Sequence, residues 1–264
     1  GAGDDTVRID GRFGASWSND HWGKADLSTG EGNDTIELYG GTNLYSYNSR
    51  YMRTYWQEAS TIDAGSGDDK ITLGGNENYG RVKGGDGDDI LDASNAKFVG
   101  ELQGGSGNDT IYGATNTLRI KGGNGDDTIE AINDSDSIYI DGGEGNDTIT
   151  TGSNATVYGG VGNDTITTQG GENFIDAGDG NDSIISGSGS DRIEGGSGND
   201  TFQGNGGNDT YYGYRINAID SDTSTTDTLI LSGAHSDYTI SRVSNDTFEY
   251  GYYVSDIGSG FSDG

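Results

Sequence analysis

The chain has 264 residues, and its 14 basic and 44 acidic side chains give a formal net charge of −30 at pH 7. Leu, Ile, Val and Phe make up only about 17% of the residues, and there is no Cys. This composition is typical of a disordered chain. It disfavours binding to nucleic acids and to anionic membrane surfaces, and it excludes disulfides and thiolate sites. The chain contains no run of about 18 apolar residues, the length that a membrane-spanning helix needs.

One short phrase recurs along the chain: Gly, any residue, Gly, Asn or Asp, Asp, a residue that is often Thr, and then an apolar residue. Copies begin at residues 1, 30, 65, 85, 105, 123, 143, 160, 178, 187, 196 and 205. From Asp69 to Asp200 the Asp of this phrase, called the motif Asp below, recurs mostly at intervals of 17 to 20 residues. Such a period suits one coil of a solenoid with two short strands and two turns, stacked on its neighbours to bury its apolar side.

Two inserts interrupt the first copies, at about residues 8–28 and 38–61. They contain all three Trp and a dense set of Tyr, with Arg50 and Arg53 among them. Such aromatic clusters are enriched at interfaces and could stack on sugars or hold a partner protein; alternatively, they cover the open end of the solenoid. The candidate ligand-binding residues are Trp17, Trp22, Tyr47, Tyr51, Tyr55 and Trp56.

The central repeats predict two strands per coil. First strands are centred on Ile71, Leu91, Ile111, Ile129, Ile149, Ile166 and Ile184, and second strands lie at 81–83, 97–99, 118–120, 138–140, 156–158 and 174–176. Half of the large apolar residues counted above are Ile, which favours half-buried strands, and the absence of Pro suits continuous hydrogen-bonded ladders. With about one large apolar residue per strand, the expected core is thin and needs another source of stability.

Residues 216–264 lack the phrase and are predicted to form a small antiparallel β unit, with strands near 228–231, 237–242 and 247–254. We expect this segment to cap the C-terminal end of the solenoid. The predicted organisation is therefore a repeat array over residues 1–215 followed by a capping segment over 216–264.

The repeated phrase resembles the nonapeptide GGxGxDxUx of the repeat-in-toxin (RTX) family. The resemblance is strong over residues 61–212 and patchy over 1–60. It implies an all-β fold, a right-handed parallel β-roll in which six-residue turns bind Ca²⁺ and the next three residues form a strand. The segment DTLILSGAHSDYTI at 227–240 more loosely resembles segments that follow such arrays in large secreted bacterial proteins.

The resemblance assigns the motif carboxylates to the Ca²⁺ sites, and with them the backbone carbonyls of the turn glycines. The carboxylates are those of Asp34, Asp69, Asp89, Asp109, Asp127, Asp147, Asp164, Asp182, Asp191, Asp200 and Asp209. The glycines are Gly85, Gly87, Gly104, Gly105, Gly107, Gly123, Gly125, Gly143, Gly145, Gly160, Gly162, Gly178 and Gly180. Asp34 lies next to the inserts, where a solvated Asp in a turn is an equal alternative.

Elementary electrostatics supports a cation in these turns. Ionised Asp side chains about 4.8 Å apart in stacked coils would repel each other by about 3.5 kcal/mol at an effective dielectric constant near 20. Ca²⁺ takes 6–8 oxygen ligands in flexible geometry. A site with a dissociation constant near 10⁻⁴ M gains about 1.4 kcal/mol in millimolar Ca²⁺, so roughly eight ions supply about 11 kcal/mol, comparable with the stability of a whole domain.

The second turn of each coil departs from the family pattern. A nine-residue spacing, which places the motif on both edges, occurs only through Asp182, Asp191, Asp200 and Asp209. Elsewhere the second turn carries Asn78, Asn95, Asn116, Asp136, Asn154 and Asn173. These residues predict an amide ladder along that edge; ordinary turn residues without mutual contacts are the alternative.

No catalytic residue is predicted, because the two His are far apart in sequence and no HExxH, Walker or CxxC motif occurs. We expect a calcium-dependent module of a bacterial protein that is exported by a type I system, folds outside the cell and serves a structural or adhesive role there or at the cell surface. The alternatives are the non-catalytic tail of a secreted protease, lipase or epimerase, and a module that binds a cell-surface glycan or protein through the insert aromatics. The chain is expected to be part of a longer protein.

Overall fold

The computed structural model describes residues 1–9, 26–39, 61–132, 137–205, 209–214, 228–231, 238–244 and 250–256. They fall into two compact units, unit 1 (Gly1–Tyr139) and unit 2 (Ile140–Gly264). The described residues form strands and turns and contain no helix. Accordingly, this part of the chain has no helical segment able to cross a bilayer.

Unit 1 is a parallel β-solenoid whose coils contribute one strand to each of two sheets. Its strands are β1 (Thr6–Ile9), β2 (Asp26–Glu31), β3 (Thr35–Tyr39), β4 (Thr61–Ser66), β5 (Lys70–Asp86), β6 (Ile90–Ser106), β7 (Thr110–Tyr112), β8 (Thr117–Asn124) and β9 (Thr128–Ala131). The first sheet pairs β1, β3, β5, β6, β7 and β9 in this order. The second sheet pairs β2, β4, β5, β6 and β8. The long strands β5 and β6 bend through register shifts and run through both sheets.

The core of unit 1 is two columns of apolar side chains, one from each sheet. The first column contains Ile36, Ile71, Leu91, Ile111 and Ile129, and the second contains Ile62, Val82, Leu102 and Ile120. All nine side chains are buried, with at most 2% of their surface exposed. Because strand side chains alternate between faces, the residues on either side of each core position point outward.

One predicted second strand is displaced. Residues 97–99 are part of β6, but the register aligns Val82 with Leu102 and not with a residue of the predicted segment. The second-sheet strand of this coil is therefore Glu101–Leu102–Gln103. The error arises because this coil carries apolar residues both at Phe98-Val99 and at Leu102, and only the stacking on Val82 selects between these two sites.

Unit 2 repeats the same architecture. After β10 (Tyr139–Glu144), its strands are β11 (Thr148–Thr151), β12 (Thr156–Val161), β13 (Thr165–Thr168), β14 (Phe174–Asp179), β15 (Ser183–Ile185), β16 (Arg192–Ser197), β17 (Thr201–Gly204), β18 (Thr210–Tyr214), β19 (Thr228–Leu231), β20 (Tyr238–Ser244) and β21 (Tyr250–Asp256). One parallel sheet pairs β11, β13, β15, β17 and β19. The other pairs β10, β12, β14, β16 and β18. The buried columns are Ile149, Ile166, Ile184 and Phe202, and Ile140, Val157, Ile175 and Ile193.

The C-terminal strands change direction. β21 pairs antiparallel with β18 and with β20, as predicted for this segment. β19, by contrast, was expected in the antiparallel unit and instead extends the parallel sheet by pairing with β17. The capping role of this segment remains a prediction.

The predicted fold class, an all-β parallel β-roll with an antiparallel C-terminal element, is confirmed, and the strand arrangement is consistent with a right-handed roll. The six candidate aromatic residues of the inserts, Trp17, Trp22, Tyr47, Tyr51, Tyr55 and Trp56, lie outside the described residues. Strand β1 extends to Ile9 and strand β2 begins at Asp26. The two strands therefore occupy the two ends of the first predicted insert.

We expect the thin core to be sensitive to the loss of a single side chain. Leu102→Ala empties a fully buried position and should lower the free energy of unfolding by about 2–5 kcal/mol. Leu118→Ala is the matched control, since Leu118 is 44% exposed and should cost no more than about 0.5 kcal/mol. Denaturant unfolding in saturating Ca²⁺ measures both, and equal losses would contradict the assigned register.

Candidate metal centre

The turns of both units depend on glycine at two positions of the motif. In one turn, Gly105 has φ 134° and Gly107 has φ 125°, conformations that residues with a Cβ rarely adopt. A Cβ at Gly105 would also overlap the carbonyl oxygen of Gly85 in the adjacent coil. The same positive φ occurs at the other glycines predicted from these two positions: Gly85, Gly87, Gly123, Gly125, Gly143, Gly145, Gly160, Gly162, Gly178 and Gly180.

The motif Asp side chains stack in a column along one edge of each unit. The backbone N–H of Asp89, for example, donates to Oδ1 of Asp109 in the next coil at 2.8 Å. The equivalent bonds of unit 1 join Asp34 to Asp69, Asp69 to Asp89 and Asp109 to Asp127. Those of unit 2 join Asp147 to Asp164, Asp164 to Asp182 and Asp182 to Asp200. Each motif carboxylate is therefore held by one oxygen.

The other oxygen of these carboxylates is buried without a hydrogen-bond partner. This holds for Oδ2 of Asp34, Asp69, Asp89, Asp109, Asp164 and Asp182, whose side chains are at most 2% exposed. An unpartnered oxygen on a buried charged group is strongly unfavourable. A repeated cost of this kind indicates a missing positive partner.

Three of these six oxygens, those of Asp89, Asp109 and Asp164, face a space that exists because a glycine stands before the turn. In the coils of the other three Asp residues, this position is taken by Thr29, Ala64 and Ala177. A Cβ at Gly104 would overlap Oδ2 of Asp109 and the carbonyl oxygen of Gly122 in the next coil. The same arrangement recurs in unit 2, where Gly159 faces Oδ2 of Asp164 and the carbonyl oxygen of Ala177. Two oxygen atoms from different coils thus converge on one small space.

Burial raises the pKa of several motif Asp, and the charge of neighbouring Asp side chains adds to this rise at Asp89, Asp109 and Asp182. The pKa of Asp89, Asp109 and Asp182 rises from 3.8 to about 7. Burial likewise raises the pKa of Asp127 and Asp164 to about 6, and it raises that of Asp69 and Asp191. The backbone N–H that binds Oδ1 opposes this shift without cancelling it. A stack of ionised motif Asp therefore needs a cation at neutral pH.

The donor set fits a hard cation such as Ca²⁺. Within the described ranges, no group of three or more His, Cys, Asp or Glu side chains could hold a metal by itself. Any ion would therefore combine one or two carboxylates with backbone carbonyls. All of these donors are oxygen atoms, the type that Ca²⁺ and Mg²⁺ prefer over softer metals.

A second column of the same kind occurs on the opposite edge of unit 2. The N–H of Asn173 donates to Oδ1 of Asp191 at 2.8 Å, and the N–H of Asp191 donates to Oδ1 of Asp209 at 3.0 Å. Asn173 itself occupies a motif Asp position, since its Oδ1 accepts the N–H of Ala155 at 2.9 Å. Asp182 and Asp200 belong to the first column. Motif Asp residues that are nine positions apart therefore lie alternately on the two edges.

The amide ladder predicted for the second turns is wrong in the described residues. Asn95 aligns with Gly74 and not with Asn78, and its amide donates to Ser94 Oγ at 3.4 Å. The Asn116 amide donates to the Lys97 carbonyl oxygen. Turn lengths differ from coil to coil, which breaks the register that a ladder requires. Asp136 lies outside the described residues.

An amide ladder exists instead on the first edge, at the residue before each motif Asp. In unit 2, the side-chain amide of each Asn donates to Oδ1 of the preceding one at 3.0–3.1 Å through Asn146, Asn163, Asn181 and Asn199. Unit 1 carries a mixed row of Asn33, Asp68, Asp88, Asn108 and Asp126, joined by backbone N–H bonds to side-chain oxygens. The Asn or Asp that precedes the motif Asp in nearly every copy of the phrase is the sequence feature from which this ladder could have been predicted.

The raised pKa values predict how pH acts on the metal-free chain. The pKa of these Asp side chains is higher in the folded state than its ordinary value of 3.8, so folding takes up protons. Protonation therefore stabilises the folded chain fully below pH 3.8, and this stabilisation is lost as pH rises through about 6 to 7. In chelator, circular dichroism should show strand at about pH 4 and its loss with a midpoint between about 6 and 7. A midpoint near 4 would instead assign the effect to exposed carboxylates, and a pH-independent spectrum would contradict the role of this column.

Comparison with known proteins agrees with this geometry. No individual curated protein sequence matches the chain. The model of the RTX calcium-binding nonapeptide repeat matches residues 23–48, 58–79, 81–95, 101–115, 119–149, 151–184 and 185–215, more than half of the chain. The chain belongs to the family of proteins with RTX calcium-binding nonapeptide repeats.

Proposed function

We propose that this chain is a calcium-dependent β-roll module that folds when Ca²⁺ enters its turns. The observation that supports this most directly is the column of buried Oδ2 atoms without a hydrogen-bond partner. Those of Asp109 and Asp164 each face a space that they share with a carbonyl oxygen of the next coil. Bound Ca²⁺ supplies the positive charge that lets these carboxylates ionise inside the fold. The chain's own residues arrange the oxygens and separate them from water.

The proposed ligands are the motif carboxylates, through Oδ2, and the carbonyl oxygens of the turns. The glycines at the two positive-φ positions allow the coils to approach closely enough for this arrangement. The Asn at one motif position, Asn173, retains the hydrogen bond of the column but contributes no charge, so we expect its turn to bind Ca²⁺ less tightly. Roughly eight ions for the whole chain remain the expected number.

We further propose that the module is secreted and works outside the cell or at its surface. Sites with dissociation constants near 10⁻⁴ M are filled by millimolar extracellular Ca²⁺ and are empty at the low concentrations of a cytosol. The chain would then stay unfolded during export and fold afterwards. A structural or adhesive role fits an array of stacked coils, and attachment to a secreted enzyme as a non-catalytic tail is the alternative.

Titration with Ca²⁺ after chelation tests the proposal. At neutral pH we expect a coil-like circular dichroism spectrum in chelator and cooperative strand formation in the high-micromolar to millimolar range of Ca²⁺. Mg²⁺ is the control, because it demands octahedral geometry and retains its water shell, and it should induce far less strand. Strand that persists at neutral pH in excess chelator would falsify the proposal.

The Asp109→Asn variant separates the charge of a motif residue from its hydrogen bond. The amide oxygen can still accept the N–H of Asp89, as Asn173 accepts that of Ala155. We expect Ca²⁺-dependent stability to fall by at least about 1.4 kcal/mol in millimolar Ca²⁺, the contribution of one site. Stability in chelator should stay equal or rise, since a buried charge is removed.

The exposed neighbour Asp88 provides the control for this experiment. Asp88→Asn makes the same chemical change in the preceding coil, one position earlier in the repeated phrase, where the side chain is exposed. It should shift the Ca²⁺ midpoint far less than Asp109→Asn. Thermal unfolding with and without Ca²⁺ measures both variants, and identical midpoints for the two would contradict the assignment of Asp109 as a ligand.

A further inference from the structure

The outer face of the second sheet in unit 1 concentrates positive charge in a strongly acidic chain. Arg81 and Lys83 on β5 and Arg119 and Lys121 on β8 flank the buried Val82 and Ile120 and therefore point outward. These four residues, called the cationic face below, are four of only 14 basic residues in a chain of net charge −30. They lie on two strands separated only by the Glu101–Gln103 segment of β6.

The cationic face keeps a surplus of positive charge after its internal ion pairs are counted. Arg81 Nε lies 2.7 Å from Oε2 of Glu101, and Lys83 Nζ lies 3.7 Å from Oδ2 of Asp63. These two carboxylates oppose four cations, which leaves a surplus of two. Both ion pairs are partly exposed, with 52% of the Arg81 side chain and 36% of the Lys83 side chain accessible, so their cations can also reach a ligand.

Arg119 and Lys121 are the cations most available to a ligand. In the described part of the chain, neither forms a salt bridge, although Lys121 interacts electrostatically with Glu101. Arg119 is exposed. The guanidinium group of Arg119 lies over the ring of Tyr139, with 5.0 Å between its Cζ and the ring centroid. Stacking of this kind orients the planar group and leaves its N–H donors at the edge for a carboxylate.

The spacing of the cations follows the coils. The strand register places Arg81, Glu101 and Arg119 in one row and Lys83, Gln103 and Lys121 in a parallel row. Strands about 4.8 Å apart put the two cations of each row about 10 Å apart. This interval is of the order of a disaccharide, so a sugar polymer with a carboxylate on every second unit can place successive charges on successive cations.

Charge density selects among anionic partners. A DNA duplex carries one charge per about 1.7 Å and would lay many phosphates over the acidic surface around the cationic face. A second copy of the chain brings a net charge of −30. A thin polymer with sparse carboxylates touches only the face itself, and acidic groups beyond about 8 Å are screened at physiological salt.

We infer that the cationic face binds a linear acidic polysaccharide that alternates a uronic acid with a neutral sugar. Carboxylates pair with Arg119 and Lys121 and, in the next repeat, with Arg81 and Lys83. The Tyr139 ring, with Arg119 over one face, and the Gln103 side chain, which hydrogen-bonds Glu101, lie beside these cations and border the path of the neutral units. None of the four cations is a proposed Ca²⁺ ligand, although Lys83 and Lys121 directly precede turn glycines. The inference rests on the proposed function in that Ca²⁺ is needed for the coils to be folded.

Isothermal titration of the full chain in saturating Ca²⁺ tests the inference, with a hyaluronan octasaccharide as the probe and a chitin-type oligosaccharide as the neutral control. We expect binding of the acidic probe that weakens as salt rises, and no binding of the neutral one. The double variant Arg119→Gln with Lys121→Gln should bind about tenfold more weakly. Lys97→Gln removes one charge from an exposed residue outside the face and should bind like the parent chain.

Circular dichroism of each variant in Ca²⁺ confirms that it is folded, so a failure of calcium-dependent folding is distinguished from a failure of ligand binding. The inference is overturned if the folded chain does not bind the acidic probe, if the double variant binds as well as the parent, or if the neutral oligosaccharide binds equally. Light scattering provides a further check: self-association abolished by the double variant would assign the face to a second copy and overturn the polysaccharide.

Discussion

The buried carboxylate of the motif Asp is the group on which the rest of the structure depends. One of its oxygens accepts a backbone N–H from the neighbouring coil and so fixes the register of the stack, as Asp109 does for Asp89. The other is buried without such a bond. The motif Asp thus aligns the coils, but its buried charge also disfavours their stacking. A cation bound to the second oxygen offsets this cost. Under the proposed function, folding and metal binding are therefore one process.

The thin core explains why such an arrangement is needed. Each coil buries about one large apolar side chain per strand, such as Ile111 in one sheet and Leu102 in the other. A narrow core of this kind gains too little hydrophobic stabilisation to offset the conformational entropy of so many ordered glycines. The turns therefore combine two tasks: their glycines permit close stacking, and their oxygens collect the charge that makes the stack stable.

The outward positions of the coils are free of these constraints and differ between the units. Core and turn positions are occupied by nearly the same residue types in every repeat, because stacking demands it. The residues beside them face solvent, where the composition can vary without disturbing the ladder. Unit 1 uses this freedom for the cationic face around Arg119, and unit 2 carries an aromatic contact there, Tyr158 beside Phe174. If the cationic face binds the polysaccharide inferred above, recognition depends on the outward positions of an otherwise uniform scaffold.

The period of the motif, the two strands per coil and the stacked Asp column were determined by the sequence alone, since each rests on local patterns that repeat at fixed intervals. The tertiary structure decided what depends on registration between coils. It placed Leu102 and not Val99 opposite Val82, and it moved the amide ladder to the row that contains Asn163. The physical reason is that turn lengths vary, so spacing along the chain does not determine which side chains become neighbours; the hydrogen bonds between stacked strands do.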